Sequence, residues 1–258
     1  MDRRPINILI TAGGTTEKID SVRGITNTGT GKLGALTADA FAARLPDCRI
    51  VYICSKGAAR PDHAGAVHPD YTDTACLTAD NTADSSDPGL RLQIIIADDV
   101  NGVGEAIRGA CEKISFDVIV HSMAISDYTV KAVSDSTMMA RGILMPCDKT
   151  TKISSDKSDL VIVLEKAPKL ISMLRGLASE AVIVGFKLLS NASEEELISA
   201  GRALLEKNDC DFVLANDLTT VTAGSHEGLL INREGGYERA VGKEVIAALI
   251  ADRVLEQL

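Results

Sequence analysis

The chain has 258 residues, 45% hydrophobic and 24% charged, ordinary values for a globular protein with one substantial buried core. A formal charge of −9, 3% aromatics and no Trp leave neither the basic face nor the stacking platforms that nucleic-acid binding needs. No apolar run is long enough for a signal peptide or a membrane span. The six cysteines (Cys48, Cys54, Cys76, Cys111, Cys147 and Cys210) form no CxxC pair, so free thiols in a reducing cytoplasm are expected and a metal site is not.

In chain order, short runs rich in Ile and Val predict strands at Ile6–Thr11, Arg49–Cys54, Leu92–Ala97, Asp117–Ser122, Leu160–Leu164, Ala181–Phe186 and Phe212–Ala215. Continuous apolar runs of this kind suit the central strands of a parallel sheet covered on both faces. Amphipathic stretches between them predict helices at Lys32–Leu45, Val103–Lys113, Pro168–Leu177, Ser193–Lys207 and Lys243–Leu258. Pro168 suits a first helical turn, where its missing N–H costs nothing, and Ser193 with Glu196 has capping-box spacing. The alternation predicts an α/β fold: a Rossmann-like, doubly wound, mainly parallel sheet with helices on both faces, in a single unit over residues 1–258.

Three segments break the rhythm. Gly13–Gly31 is a long Gly/Thr-rich connection after the first strand, and Asp73–Gly89 is a polar surface excursion. Thr129–Asp159 shows no clear period and carries Lys131, Arg141, Lys149, Lys152 and Lys157; its length points to a mobile flap around residues 129–159.

Ligands of open α/β sheets bind beyond the carboxyl ends of the strands, and Ile10–Gly34 is the first such end. Gly29-Thr30-Gly31-Lys32-Leu33-Gly34 spells GxGxxG, which keeps an NAD(P)-dependent oxidoreductase open as an alternative. Against it, about seventeen residues separate these glycines from the strand, and Ser55-Lys56 stand where an acidic residue belongs. A P-loop also fails, because Thr26 occupies its first glycine position and Leu33 its Ser/Thr position. What survives is an anion site: glycine N–H groups and a hydroxyl ahead of a helix starting at Lys32.

The run Ile10-Thr11-Ala12-Gly13-Gly14-Thr15, then Asp20, Val22-Arg23, Ile25-Thr26-Asn27 and Gly31-Lys32-x-Gly34, resembles the opening of phosphopantothenate–cysteine ligases, ITAGxTxExxDxVRxIxNxSSGKxG. The resemblance continues through Ser126-Asp127-Tyr128, Lys152-Ile153, Ala167-Pro168-Lys169, Val184-Gly185-Phe186 and Ala215-Asn216-Asp217, in order over about four-fifths of the chain. It implies a ligase of coenzyme A biosynthesis that joins 4'-phosphopantothenate to L-cysteine through an acyl-nucleotide, releasing pyrophosphate and then the nucleoside monophosphate. CTP is the bacterial co-substrate and ATP the eukaryotic one, with Mg2+ held mainly by phosphate oxygens and water.

The same resemblance assigns roles. Asn27 orients the acyl phosphate, and Lys152 leads the flap that covers the nucleotide and delivers charge to its α-phosphate. The nucleotide is expected against His121, Ser122, Met123, Asp127, Lys152, Pro168, Lys169, Leu170, Ile171, Phe186 and Lys207. Phosphate or substrate is expected against Gly13, Gly14, Thr15, Asn27, Gly29, Thr30, Gly31 and Lys32. His121 is expected to offer its backbone rather than act as a base, Asp127 to meet either ribose or base, and Phe186 to be either site or core. Departures from the pattern are Gly29-Thr30 for Ser-Ser, Ala203 for a second lysine, and a flap reading Lys152-Ile153-Ser154-Ser155. Because the chain begins almost at its first strand, a stand-alone enzyme without a flavin partner is expected. The resemblance further implies a cytoplasmic homodimer.

Overall fold

The computed structural model describes residues 4–62, 91–156, 158–221 and 226–258. Strand β1 (Asn7–Ala12) leads into a small hairpin, β2 (Thr16–Lys18) and β3 (Gly24–Thr26), then α1 (Lys32–Arg44) and β4 (Arg49–Cys54). Next come β5 (Leu92–Ile96), α2 (Val100–Lys113), β6 (Val118–His121), β7 (Tyr128–Ser134), α3 (Ser136–Ala140), β8 (Met145–Pro146) and β9 (Val161–Lys166). The chain continues through α4 (Ile171–Leu177), β10 (Val182–Leu189), α5 (Glu194–Asn208), β11 (Phe212–Asp217), a 3-10 turn (Leu218–Thr220), β12 (Glu227–Asn232), β13 (Tyr237–Val241) and α6 (Lys243–Leu255).

The main sheet has eight strands in the order β13-β12-β11-β10-β6-β1-β4-β5. Strands β5, β4, β1, β6, β10 and β11 run parallel, while β12 and β13 extend the sheet antiparallel. Each parallel strand is apolar on both faces because each face carries its own core. Ile8, Ile10 and Ala12 of β1 pack with Ala38 and Phe41 of α1 and Ile246 and Ile250 of α6. Leu9 faces the other way, among Val103 and Ile107 of α2, Leu174 of α4 and Leu205 of α5. Period-two alternation thus feeds two cores rather than one core and solvent. This is the doubly wound α/β fold the sequence predicts.

Several boundaries differ. Leu160–Leu164, expected in the parallel sheet, belongs to β9 in a separate antiparallel sheet ordered β8-β7-β9. Its apolar run cannot by itself specify a partner, and its distal residues Leu164, Glu165 and Lys166 are exposed. The same sheet corrects the view of Thr129–Asp159 as aperiodic: much of it is β7, α3 and β8, with a register irregularity between Val130 and Ala132 that obscures the alternation. Pro168 precedes its helix instead of opening it; Ser172 and Met173 donate to the carbonyls of Lys169 and Leu170 in a tight turn that leads into α4. Helix α2 starts at Val100, earlier than Val103, because the Asp99 side chain accepts from the Gly102 amide as N-cap. The Ser193–Glu196 capping box is present in full. The Asp73–Gly89 excursion and Cys76 lie outside the described residues.

Candidate active site at the carboxyl edge of the sheet

Where β1 ends, Gly13 adopts a left-handed conformation (φ 96°) and the chain turns along the loop that follows β6. The Ala124 amide donates to Gly13 O (2.8 Å), the Thr15 amide donates to Ala124 O (3.1 Å), and Gly14 and Ala124 form an isolated bridge. The buried Thr15 hydroxyl accepts from the Ser126 amide at 2.9 Å, tying Ser126-Asp127-Tyr128 to the same loop. Asn27 then folds back: its amide donates to Thr15 O (3.0 Å), and its side-chain Nδ2 donates to Ala124 O (3.3 Å). The contacts are so close that a methyl group on Gly14 would overlap Asn27 O, and one on Gly29 would overlap Gly13 O. Only glycine allows three backbone segments to meet here.

Helix α1 starts from Gly31 in a left-handed conformation (φ 71°) and has no side-chain N-cap bond. The Tyr52 hydroxyl, from β4, donates to Ala59 O (2.8 Å), and the Ala59 amide donates to Thr30 O (2.9 Å), fixing the loop ahead of the helix. The Lys32 amide donates to the Thr30 hydroxyl (3.4 Å), and the positive dipole end of the helix with its following first-turn amides faces outward as an anion-binding terminus would.

These loops enclose a cavity of about 520 Å³ lined by Gly14, Thr16, Lys18, Thr26, Asn27, Thr28, Gly29, Thr30, Ser55, Lys56, Gly57 and Asp98. The size falls within the usual range for small-molecule sites. Its wall carries two lysines and one carboxylate, a locally cationic lining in a chain of net charge −9. Ser55, Lys56, Gly57 and Asp98 were not singled out from the sequence as ligand contacts. Their signal was positional: they directly follow β4 and β5 at the same sheet edge.

A second cluster lies at the ends of β6 and β9. His121 is buried, its Nδ1 sits 2.9 Å from the Thr11 hydroxyl, and burial pulls its pKa down to about 4. The imidazole is therefore neutral and enclosed, turned toward Thr11. The Ser122 hydroxyl donates to Thr11 O (2.6 Å), and Met123 is buried in the core. Asp127 is exposed and ion-paired with Lys169, and the Ala167 amide donates to Asp127 O (2.9 Å), which brings Pro168 and Lys169 beside it. Leu170 is buried and Ile171 partly so, both in the core on the α2/α4/α5 face; Phe186 packs partly buried against the opposite core. Lys207 is not brought to this group. It lies in the last turn of α5, which runs back from the end of β10 to the start of β11, the sheet edge opposite Asn27.

Lys152 is exposed, but its neighbours are held against the turn of the β2–β3 hairpin. The buried Asp20 carboxylate accepts from the amides of Val22 (2.8 Å), Arg23 (2.7 Å) and Ile153 (3.2 Å) and from Arg23 Nε (2.9 Å). The Arg23 guanidinium is the main reason its pKa lies well below the usual carboxylate range. No group of three or more His, Cys, Asp or Glu that could hold a metal occurs among the described residues, and no described helix is long and apolar enough to cross a membrane.

The family described as DNA/pantothenate metabolism flavoprotein C-terminal domain matches residues 4–68 and 92–258. The chain is 30% identical over 227 residues to the coenzyme A biosynthesis bifunctional protein CoaBC of Thermococcus kodakarensis, covering 88% of this chain and 45% of that protein. It therefore spans about half the length of this curated relative. The solved structure of the DNA/pantothenate metabolism flavoprotein from Streptococcus pneumoniae matches with a TM-score of 0.78 at 27% identity, over 98% of this chain and 100% of that one. A Cab2 variant in complex with phosphopantothenate-cysteine shares the fold, with a TM-score of 0.65 at 20% identity over 98% of this chain and 88% of that one.

Proposed function

Since the chain belongs to the family of DNA/pantothenate metabolism flavoprotein C-terminal domains, we propose that it joins 4'-phosphopantothenate to L-cysteine at the expense of a nucleoside triphosphate, CTP foremost. The observation that carries this reading is the cavity after β1, whose lining includes Asn27, the Gly29-Thr30 run just ahead of α1 and two lysines, Lys18 and Lys56. The names of the relatives support the choice of substrates.

In the first half-reaction the pantothenate carboxylate attacks the α-phosphorus, an acyl–phosphate bond forms, and the bond to the departing pyrophosphate breaks. In the second, the cysteine amine attacks the acyl carbon, loses its proton, and the nucleoside monophosphate leaves. Asn27 orients the acyl oxygen; being uncharged, it donates without trapping a carboxylate ionically. The first-turn amides of α1 hold phosphate. Lys152, from the flap, offsets charge developing at the α-phosphate and helps exclude water from the anhydride. Mg2+ bound to the triphosphate would neutralise part of its charge. Asp98 is the single carboxylate lining the cavity, so its ligands would come chiefly from phosphate oxygens and water. A homodimer is part of the proposal, supported by the exposed apolar side chains Ile143, Leu144, Met145 and Leu164 around the small sheet.

Lys152→Gln tests the reading: pyrophosphate release is expected to fall by about a hundredfold or more through lost charge stabilisation. Turnover at the wild-type rate would remove Lys152 from the chemistry. CTP with phosphopantothenate should raise the melting temperature where NADH does not; the reverse would favour a dinucleotide enzyme.

A further inference from the structure

The segment carrying Lys152 is pinned through both backbone polar groups of the following residue, Ile153. Ile153 donates its amide to Asp20 Oδ2 (3.2 Å), and its carbonyl accepts from Arg23 Nη2 (2.9 Å). Arg23 Nη2 also donates to Asp20 Oδ2 (2.5 Å), so carboxylate, guanidinium and peptide close a ring. On the other side of Lys152, the Thr151 carbonyl accepts from the Ser21 amide (3.3 Å), and further back the Cys147 thiol donates to Ile19 O (3.1 Å). Asp20 is fully buried, whereas Lys152 is exposed. The turn that makes this ring is one end of the β2–β3 hairpin; the other end is Thr26, directly followed by Asn27. Three-residue arms put the two ends roughly 10 Å apart.

We propose that Asp20 is a positioning residue: through Arg23 it docks the flap on the hairpin whose far end presents Asn27, and so sets where Lys152 stands relative to the acyl phosphate. The proposal rests on the ligase reading. Asp20 meets neither substrate nor nucleotide in this scheme; it acts through Ile153 and Arg23. A flap docked on the same short hairpin as the catalytic amide moves with it, which fixes one cation against one amide without a direct contact between them.

Two substitutions test it. Asp20→Asn keeps the shape and weakens the ring. Ile153→Pro removes the flap's donor and leaves the Asp20–Arg23 pair intact, so overall folding is not at stake. Each should lower kcat for pyrophosphate release about tenfold to a hundredfold, while KM for CTP changes no more than about threefold. In the absence of substrates, each should also speed trypsin cleavage at Lys149 by about tenfold, and Asp20→Asn cleavage at Lys152 as well, because the docked segment opens more often. In Ile153→Pro the Lys152 bond precedes proline and is not a trypsin site, so Lys149 alone is read there. Unchanged kcat overturns the proposal, whether or not cleavage accelerates; so does unchanged cleavage in both variants. Trypsin protection is read without substrates and judges the docking alone, whereas a wild-type protein that releases no pyrophosphate contradicts the ligase reading.

Discussion

Asn27 and His121 show how differently two polar residues at one sheet edge are employed. Asn27 spends its Nδ2 on Ala124 O and lines the cavity. If an anion is bound there, Asn27→Asp should be worse than Asn27→Ala in pyrophosphate release, since a carboxylate repels phosphate and carboxylate alike. Equal, mild losses in the two variants would leave Asn27 as a turn former. His121 is held neutral by burial, with its pKa near 4 against an ordinary 6.5. Between those values the unfolded chain binds a proton that the folded chain does not, so stability is complete above pH 6.5 and is lost as pH falls toward 4. The linked loss approaches about 3 kcal/mol. Urea midpoints of wild type and His121→Asn should therefore converge or cross as the pH drops through this window; parallel curves would show that the imidazole titrates normally. From the sequence, the identity of both residues was legible but not their partners: nothing along the chain announces that Thr11 faces His121, or that Ala124 O receives Asn27.

At the scale of elements, the hairpin, the α1 terminus and the small sheet carry the site. Gly14→Ala would force Asn27 O away and pry the loop after β1 from the hairpin, so activity is expected to fall at least about a hundredfold. Ser193→Ala, which removes one half of the α5 capping box, should cost about 1 kcal/mol in stability and leave turnover unchanged. Comparable losses of turnover in both would show that Gly14 acts only through general stability. The strands of the parallel sheet were readable because continuous Ile/Val runs have few other uses. β2 and β3 were not, being three residues each, and β12 and β13 were passed over although Asn232–Gly236 makes a short turn between them. The flap region read as irregular because its strands pair antiparallel in a sheet of their own, with a bulge at Lys131.

Over the whole molecule, the parallel strands aim every useful loop at one edge. The ends of β1, β4, β5 and β6 supply the glycine-rich loop, Ser55–Gly57, Asp98 and Ala124–Asp127, while the segment at Ile153 is held against the β2–β3 hairpin beside them. A Rossmann-like sheet specifies that edge, not the chemistry performed there. The ligase reading came only through the ordered motifs from Ile10 to Asp217, and Lys207 shows the limit of such a transfer, since the fold leaves it at the opposite edge. The most direct measurement is pyrophosphate release from CTP and from ATP, each with phosphopantothenate, with and without cysteine. The account predicts release that requires phosphopantothenate, stops near a single equivalent without cysteine, and turns over once cysteine is added. No pyrophosphate from either nucleotide, or release indifferent to phosphopantothenate, would contradict it.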